Sequence, residues 1–257
     1  MHNINITVNG QIGAGKTTFV RTLVPLAPRV VIFDPLDDYD GGSLKVPVTI
    51  LESFRDAAGY YVQHRRDPTM RLVFRGPSTT SFADQERELE PFRYMLRLLA
   101  HSQRVDRLPP LALVLEESTF YADRNNPWPE IRAIYLYGRR WRINTISIAQ
   151  TDVDISTQVR RNSQIVVALR NVKPSTDAAR YFGGDVEKLG RLEKLTPGTK
   201  PVAGTHYLTY PPDIDVAGEW KAANTPGSLP PEAVGAAVAT ASPAAKPAAA
   251  SAPRRKA

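Results

Sequence analysis

The sequence predicts an α/β fold, a mostly parallel central sheet with helices on both faces. Three observations predict it. Strand-like and helix-like stretches alternate from residue 3 to about residue 170, the order that builds parallel sheets through crossover helices. Several strand-like stretches are continuous apolar runs, as a sheet covered on both faces requires. The chain has 257 residues, 42% of them apolar, enough for one such domain.

Taken in order, NINITVN (3–9) reads as a strand, and a helix opens at Gly15 and runs to Leu23 after a glycine-rich turn. RVVIFDP (29–35) is a second strand, stopped by Pro35. Helical spacing covers 51–66, and MRLVFRG (70–76) is a strand. A long helix follows over 83–103, with Pro91 as a point of disturbance. LALVLEE (111–117) is an apolar strand ending in two acids. A helix over 127–140 has proline near its start. INTISIAQ (143–150) and QIVVALR (164–170) are strands around a short helix near 155–161. From about Ala222 the chain turns to Ala, Pro and Ser and ends in PRRKA. It lacks the large apolar residues that offset ordering entropy, so the reading is a domain over 1–221 and a disordered tail over 222–257.

There is no cysteine, which excludes disulfides and thiolate metal sites and fits a reducing interior. No apolar run approaches the ~18–20 residues of a membrane-spanning helix. The opening MHNINITVNGQ reads as a strand rather than a secretory leader. The expectation is a soluble intracellular protein without a membrane segment of its own. The formal charge is +7. The tail, with four bases and one acid, carries +3 of it. The remaining excess is mild and compatible with a polyanionic partner, and the basic tail end is either solvated or in contact with nucleic acid.

Gly10-Gln11-Ile12-Gly13-Ala14-Gly15-Lys16-Thr17 fits GxxxxGK[ST] at every fixed position, between a strand and a helix. This is the phosphate-binding P-loop. Its glycines let the backbone curl so that several N–H groups and the helix N-terminus face an anion. The expected ligand is ATP with Mg²⁺. Gly10, Gln11, Gly13, Ala14 and Gly15 form the cradle, Lys16 reaches the β and γ phosphates, Thr17 ligates Mg²⁺ and Thr18 contacts the α phosphate. Glu116 and Glu117 end a neighbouring strand. Glu116 is read as the metal-side acid and Glu117 as the general base that polarises the attacking water. The metal-side acid is usually aspartate, so the longer Glu116 is a departure.

Two further signals are weak alone. Gln150 ends the next strand, at the edge where open α/β sheets bind ligands, and its amide can contact the γ phosphate or the lytic water. Arg139, Arg140 and Arg142 lie in YGRRWR. They either supply a guanidinium to a neighbouring subunit's phosphates or offset a helix dipole.

GQIGAGKTT, VVIFDPLDDY, LALVLEEST and GRRWRINTISIAQTDVDISTQVRRNSQIVVALR together resemble the FtsK–HerA class of DNA-pumping ATPases. Within it they are most similar to the compact genome-packaging ATPases of tailless, membrane-containing DNA phages. The resemblance spans roughly residues 3–210 and includes STDAARYFGGDVEKLGRL as closing helices. It implies a three-layer, RecA-like P-loop fold and an ATPase that moves double-stranded DNA into a preformed capsid. It also implies a ring, expected to be a homo-hexamer, with ATP between subunits. In that ring Gln150 is a catalytic amide and Arg139 the trans-acting finger, with Arg140 or Arg160 as substitutes. The implied partners are DNA and capsid or portal-vertex proteins. The implied place is the host cytoplasm or the virion's packaging vertex. Residues 76–88 and 118–128 are candidate DNA-contact loops.

Two other functions fit a P-loop chain of this size. One is a nucleoside or small-molecule kinase, with Arg65, Arg66, Arg71 and Arg75 as a lid. The acidic strand end and Gln150 speak against it. The other is a nucleotide-binding phage morphogenesis factor that does not turn over.

Overall fold

The computed structural model describes residues 4–76, 85–150, 155–170 and 207–210, together with Leu192, Lys194, Leu195, Val216 and Trp220. The tail over 222–257, the closing helices over 175–190 and most of the 76–88 loop lie outside these residues. Eight strands form one sheet: β1 (Asn5–Asn9), β2 (Val30–Phe33), β3 (Thr49–Leu51), β4 (Arg71–Phe74), β5 (Leu111–Leu115), β6 (Ile143–Ala149), β7 (Ile165–Leu169) and β8 (Tyr207–Tyr210). Their order is β3-β4-β2-β5-β6-β1-β7-β8. All pairings are parallel except β7–β8, which is antiparallel.

The helices are α1 (Lys16–Leu23), α2 (Gly41–Leu44), α3 (Phe54–His64), α4 (Gln85–Asp106), α5 (Pro129–Trp141) and α6 (Thr157–Asn162). Alternation along each strand sends neighbouring residues to opposite faces. Val30 and Ile32 of β2 therefore join Phe19, Val20 and Leu23 of α1 on one face. Val31 and Phe33 join Tyr61 of α3, Leu96 of α4 and Ile134 of α5 on the other. This is the expected three-layer architecture with a core on each side of the sheet.

β1 looks half-polar in sequence yet is buried throughout. Asn5 and Thr7 have side-chain partners. The Asn5 side-chain amide donates to the Asn162 carbonyl oxygen (3.0 Å), Thr145 donates to Asn5 Oδ1 (2.8 Å), and the Thr7 and Ser163 hydroxyls share a hydrogen bond (2.6 Å). Burial of Asn5 and Thr7 is tolerated because both are hydrogen-bonded, whereas the buried Asn9 Oδ1 has no hydrogen-bond partner among the described residues.

Two expectations need correction. The helix read over 51–66 is shorter, because Leu51 ends strand β3 and Ser53 caps α3 by accepting from the Asp56 N–H (3.1 Å). A three-residue strand leaves too little period-2 pattern to stand apart from the helix after it. The fourth helix begins at Gln85, continues through Pro91 without a break and ends at Asp106. Strands β3 and β8 and the short α2 were not expected. No helix among the described residues is long and apolar enough to cross a membrane.

Candidate nucleotide-binding site

The parallel arrangement brings the C-terminal ends of β1, β6, β5 and β2 to one rim. The phosphate loop leaves β1 there. Its start is tied to the neighbouring strands, with the Gly10 N–H donating to the Ala149 carbonyl oxygen (3.3 Å) and the Gln11 N–H to that of Arg170 (3.2 Å). Gly15 adopts φ 95° at the head of α1, a left-handed conformation that glycine takes without steric cost. A Cβ there would sit 2.5 Å from Leu195 Cβ, so the position has no room for any side chain. The Lys16 ammonium is folded back on the loop, donating to the carbonyl oxygens of Gly10 (2.9 Å) and Gln11 (3.2 Å). Burial pushes the Lys16 pKa below its ordinary value, opposed by the charges of Glu117 and Glu116.

Glu116 leaves the end of β5 next to β2, and its N–H donates to the Phe33 carbonyl oxygen (3.1 Å). The carboxylate is buried. Oε1 accepts from the Thr17 hydroxyl (2.7 Å) and Oε2 from the Tyr39 phenol (3.0 Å). Burial raises the Glu116 pKa to about 7, against the two hydroxyl donors that lower it. A buried carboxylate against the P-loop hydroxyl, in no ion pair with a cationic side chain among the described residues, fits the surroundings of a hydrated divalent ion. Thr17 and Glu116 are the residues that would hold one.

The raised pKa has a stability consequence for the metal-free protein. Below its ordinary value of 4.5, Glu116 is protonated in both the folded and unfolded states and contributes no pH dependence. Between 4.5 and about 7 the unfolded chain has ionised while the folded one keeps its proton, so stability falls across that window and levels off above it. Glu116→Gln should therefore raise the melting temperature relative to wild type at pH 8 in EDTA, and leave the two proteins alike near pH 4.5. Equal melting temperatures at pH 8 would contradict this.

Glu117 has φ 42° and ψ 57°, a left-handed backbone that costs a non-glycine residue roughly 1–2 kcal/mol. The turn it makes enters a single 3₁₀ turn over Ser118–Phe120. The Ser118 hydroxyl donates to the Ile148 carbonyl oxygen (2.8 Å), fastening the turn to β6. Glu117 and Gln150 share the lining of an open hollow of about 450 Å³ with Thr119, Asp123, Arg124 and Asn125. Lys16, Thr17, Glu116, Glu117 and Gln150 thus gather on one rim.

Arg139 and Arg140 do not join them. They end α5, before the start of β6. β6 is seven residues long, so they stand roughly 20 Å from its Gln150 end. Arg139 is exposed, and at that distance it does not reach the phosphate loop of its own chain. Arg65 and Arg71, considered above as parts of a lid, are engaged elsewhere. Arg65 pairs with Asp106 (3.2 Å), and Arg71 begins β4 at the far rim. Of the 118–128 loop, Ser118, Tyr121 and Ala122 are buried and Asp123–Asn126 exposed.

Three features were missed in the sequence. Tyr39 reaches Glu116. Arg75 lies beside Asp34 and Asp37 at the start of the turn that carries Tyr39. Leu195 packs on the phosphate loop, with its N–H donating to the Ala14 carbonyl oxygen (3.4 Å), and the neighbouring Lys194 ammonium lies beside Gly13. The VVIFDPLDDY block, which holds Asp34, Asp37 and Tyr39, carried no assigned role, and Arg75 was named only for a kinase lid.

No family model matches the chain, and no curated protein matches it in sequence. Solved structures do. The genome packaging NTPase B204 from Sulfolobus turreted icosahedral virus 2, in complex with sulfate, superposes with a TM-score of 0.52 at 12% identity, over 84% of this chain and 100% of that one. Its complex with ATP-gammaS gives 0.51 at 12% identity, over 82% and 98%. VirB4 of Thermoanaerobacter pseudethanolicus gives 0.55 at 13% identity, over 83% and 90%. With a complete phosphate loop on the same rim as its acids, the chain shares a P-loop NTPase fold with these two proteins.

Proposed function

We propose that the chain is an ATP-hydrolysing translocase that packages a viral double-stranded DNA genome into a preformed capsid. The observation that carries the hydrolytic part is the strand order. β6 lies between β1 and β5, so Gln150 ends between the phosphate loop and the Glu116–Glu117 pair. In this reading Gly10, Gln11, Gly13, Ala14 and Gly15 hold the triphosphate by main-chain N–H groups. Lys16 exchanges its two carbonyl partners for the β and γ phosphates, and Thr18 contacts the α phosphate. Glu117 accepts a proton as water attacks the γ phosphorus and ADP leaves. Gln150 orients that water. Thr17 and Glu116 would hold Mg²⁺, which would supply charge neutralisation at the reacting phosphates.

The translocating part draws on the resemblance, on the basic balance of the chain and on the likeness to a protein named as a genome packaging NTPase. The ATPase domain covers 1–221 and assembles as a ring, with Arg139 completing the neighbour's site. Duplex DNA is gripped by its backbone, which makes binding steeply salt-dependent and tolerant of sequence. The protein works with capsid or portal-vertex proteins, in the host cytoplasm or at the virion's packaging vertex.

Purified full-length protein should form nucleotide-dependent oligomers, hydrolyse ATP faster with duplex DNA and displace a third strand from a triplex. Arg139→Ala should abolish the stimulated rate without weakening ATP binding. A protein that stays monomeric with ATP analogue and DNA at high concentration would overturn the proposal. Transfer of γ phosphate to a nucleoside would point to a kinase instead, and absence of hydrolysis under every condition to a morphogenesis factor.

A further inference from the structure

The turn from Asp34 to Tyr39 is one of the blocks that carry the resemblance, yet the chemistry above gives it no task. It is held from several directions. The buried Asp34 carboxylate accepts from the N–H groups of Asp38 (2.8 Å) and Tyr39 (2.9 Å). Arg75, at the end of β4, donates to the Tyr39 carbonyl oxygen (2.9 Å). Its Nε lies 3.7 Å from Asp34 and 3.2 Å from Asp37. Arg21 of α1 donates to the Asp38 carbonyl oxygen, and its guanidinium sits 5.8 Å from the centre of the Tyr39 ring. The product of this scaffolding is a fully buried phenol whose hydroxyl meets one oxygen of Glu116.

We infer that Tyr39 is a positioning residue for the metal-side carboxylate, holding Oε2 of Glu116 so that Oε1 faces Thr17. The inference rests on reading Glu116 as the metal-side acid. Glutamate has one side-chain torsion more than aspartate. At a strand end beside the phosphate loop, that torsion lets the carboxylate swing. Thr17 anchors one oxygen, but its hydroxyl is itself a metal ligand in this reading and would turn away when the ion binds. The Tyr39 hydroxyl has no such second task and remains. The extra methylene of Glu116 and the buried phenol are then two halves of one device. The methylene carries the carboxylate out to the phenol, and the phenol fixes the rotor that the methylene adds. Partners that orient metal ligands from behind typically change metal affinity by about 10–100-fold when removed.

The test uses full-length protein saturated with ATPγS and titrated with Mn²⁺, with bound ion read by electron paramagnetic resonance. Tyr39→Phe keeps the ring and removes only the hydroxyl. It should weaken Mn²⁺ binding about 10–100-fold and leave the affinity for ATPγS in EDTA unchanged. In a Glu116→Asp background the shorter carboxylate no longer reaches the phenol, so Tyr39→Phe should add little, the non-additivity expected of partners in contact. Arg75→Gln keeps the phenol and removes the donor to its carbonyl, so it should weaken Mn²⁺ binding in the same direction by a smaller factor. It stands in should Tyr39→Phe fail to fold. Wild-type Mn²⁺ affinity in Tyr39→Phe, with Glu116→Gln impaired, overturns the role of Tyr39 alone. A Tyr39→Phe effect of undiminished size in the Glu116→Asp background overturns it as well. Wild-type affinity in Glu116→Gln removes the metal-side reading of Glu116 and this inference with it.

Discussion

Glu117→Gln should lower the rate of ATP hydrolysis by about a thousandfold while ATP stays bound. The expectation follows from the proposed role of the carboxylate as proton acceptor, a contribution of about 10²–10⁴ in rate. Glutamine matches glutamate in shape and can occupy the hollow beside Gln150, but it does not accept the water's proton at neutral pH. The substitution keeps the left-handed turn and the Ser118 anchor on β6, so the fold should survive. The effect then appears in kcat, with nucleotide affinity preserved or increased. Single-turnover hydrolysis beside equilibrium binding of a fluorescent ATP analogue separates the two. Turnover within a factor of ten of wild type would exclude Glu117 as the base.

Phe33→Ala should cost roughly 3–5 kcal/mol of stability, the range for removing a buried phenylalanine. Phe33 ends β2, is fully buried and is the hub of an aromatic cluster. Its ring centre lies 5.9 Å from Phe74, 5.2 Å from Phe92 and 6.0 Å from Tyr121. Those neighbours come from β4, α4 and the loop after β5. All are buried, so the void should collapse only in part. With domain stabilities of about 5–15 kcal/mol, the variant should sit close to unfolding at 37 °C. Urea denaturation should show a lower midpoint with an unchanged slope. The same change should also loosen the floor of the site, since Asp34 follows Phe33 and the Glu116 N–H donates to the Phe33 carbonyl. A loss under about 1 kcal/mol would mean that the cluster repacks freely.

Legibility in the sequence followed the range of the interactions. β1, β2, β5, β6 and β7 were readable because each is an apolar or alternating run bounded by turn residues. The phosphate loop was readable because its requirements fall within eight consecutive positions. Glu116, Glu117 and Gln150 could be proposed because a parallel sheet puts strand ends together. β3 was lost inside a helical pattern, and β8 stands far along the chain from its partner β7. Tyr39 is 77 positions from Glu116. Only the adjacency of β2 and β5 unites them, and strand order is not written in local pattern. Leu195 on the phosphate loop is another such long-range contact. Glu116 was noted as longer than the usual aspartate, and the structure gives its carboxylate a buried partner in Tyr39.

The packing of Leu195 over Gly15 also bears on where this molecule can be cut. Val216 and Trp220 share the core of α1, and Tyr207 stacks near Phe19 (5.0 Å). The first helix of the chain therefore has its outer wall built from residues nearly two hundred positions later. Loop-closure entropy opposes bringing such distant stretches together, and the apolar contacts of Leu195, Tyr207, Val216 and Trp220 with this core offset it. An ATP-binding fragment that stops after β7 would leave Phe19 wet and the phosphate loop without its backing, whereas one that runs past Trp220 keeps both.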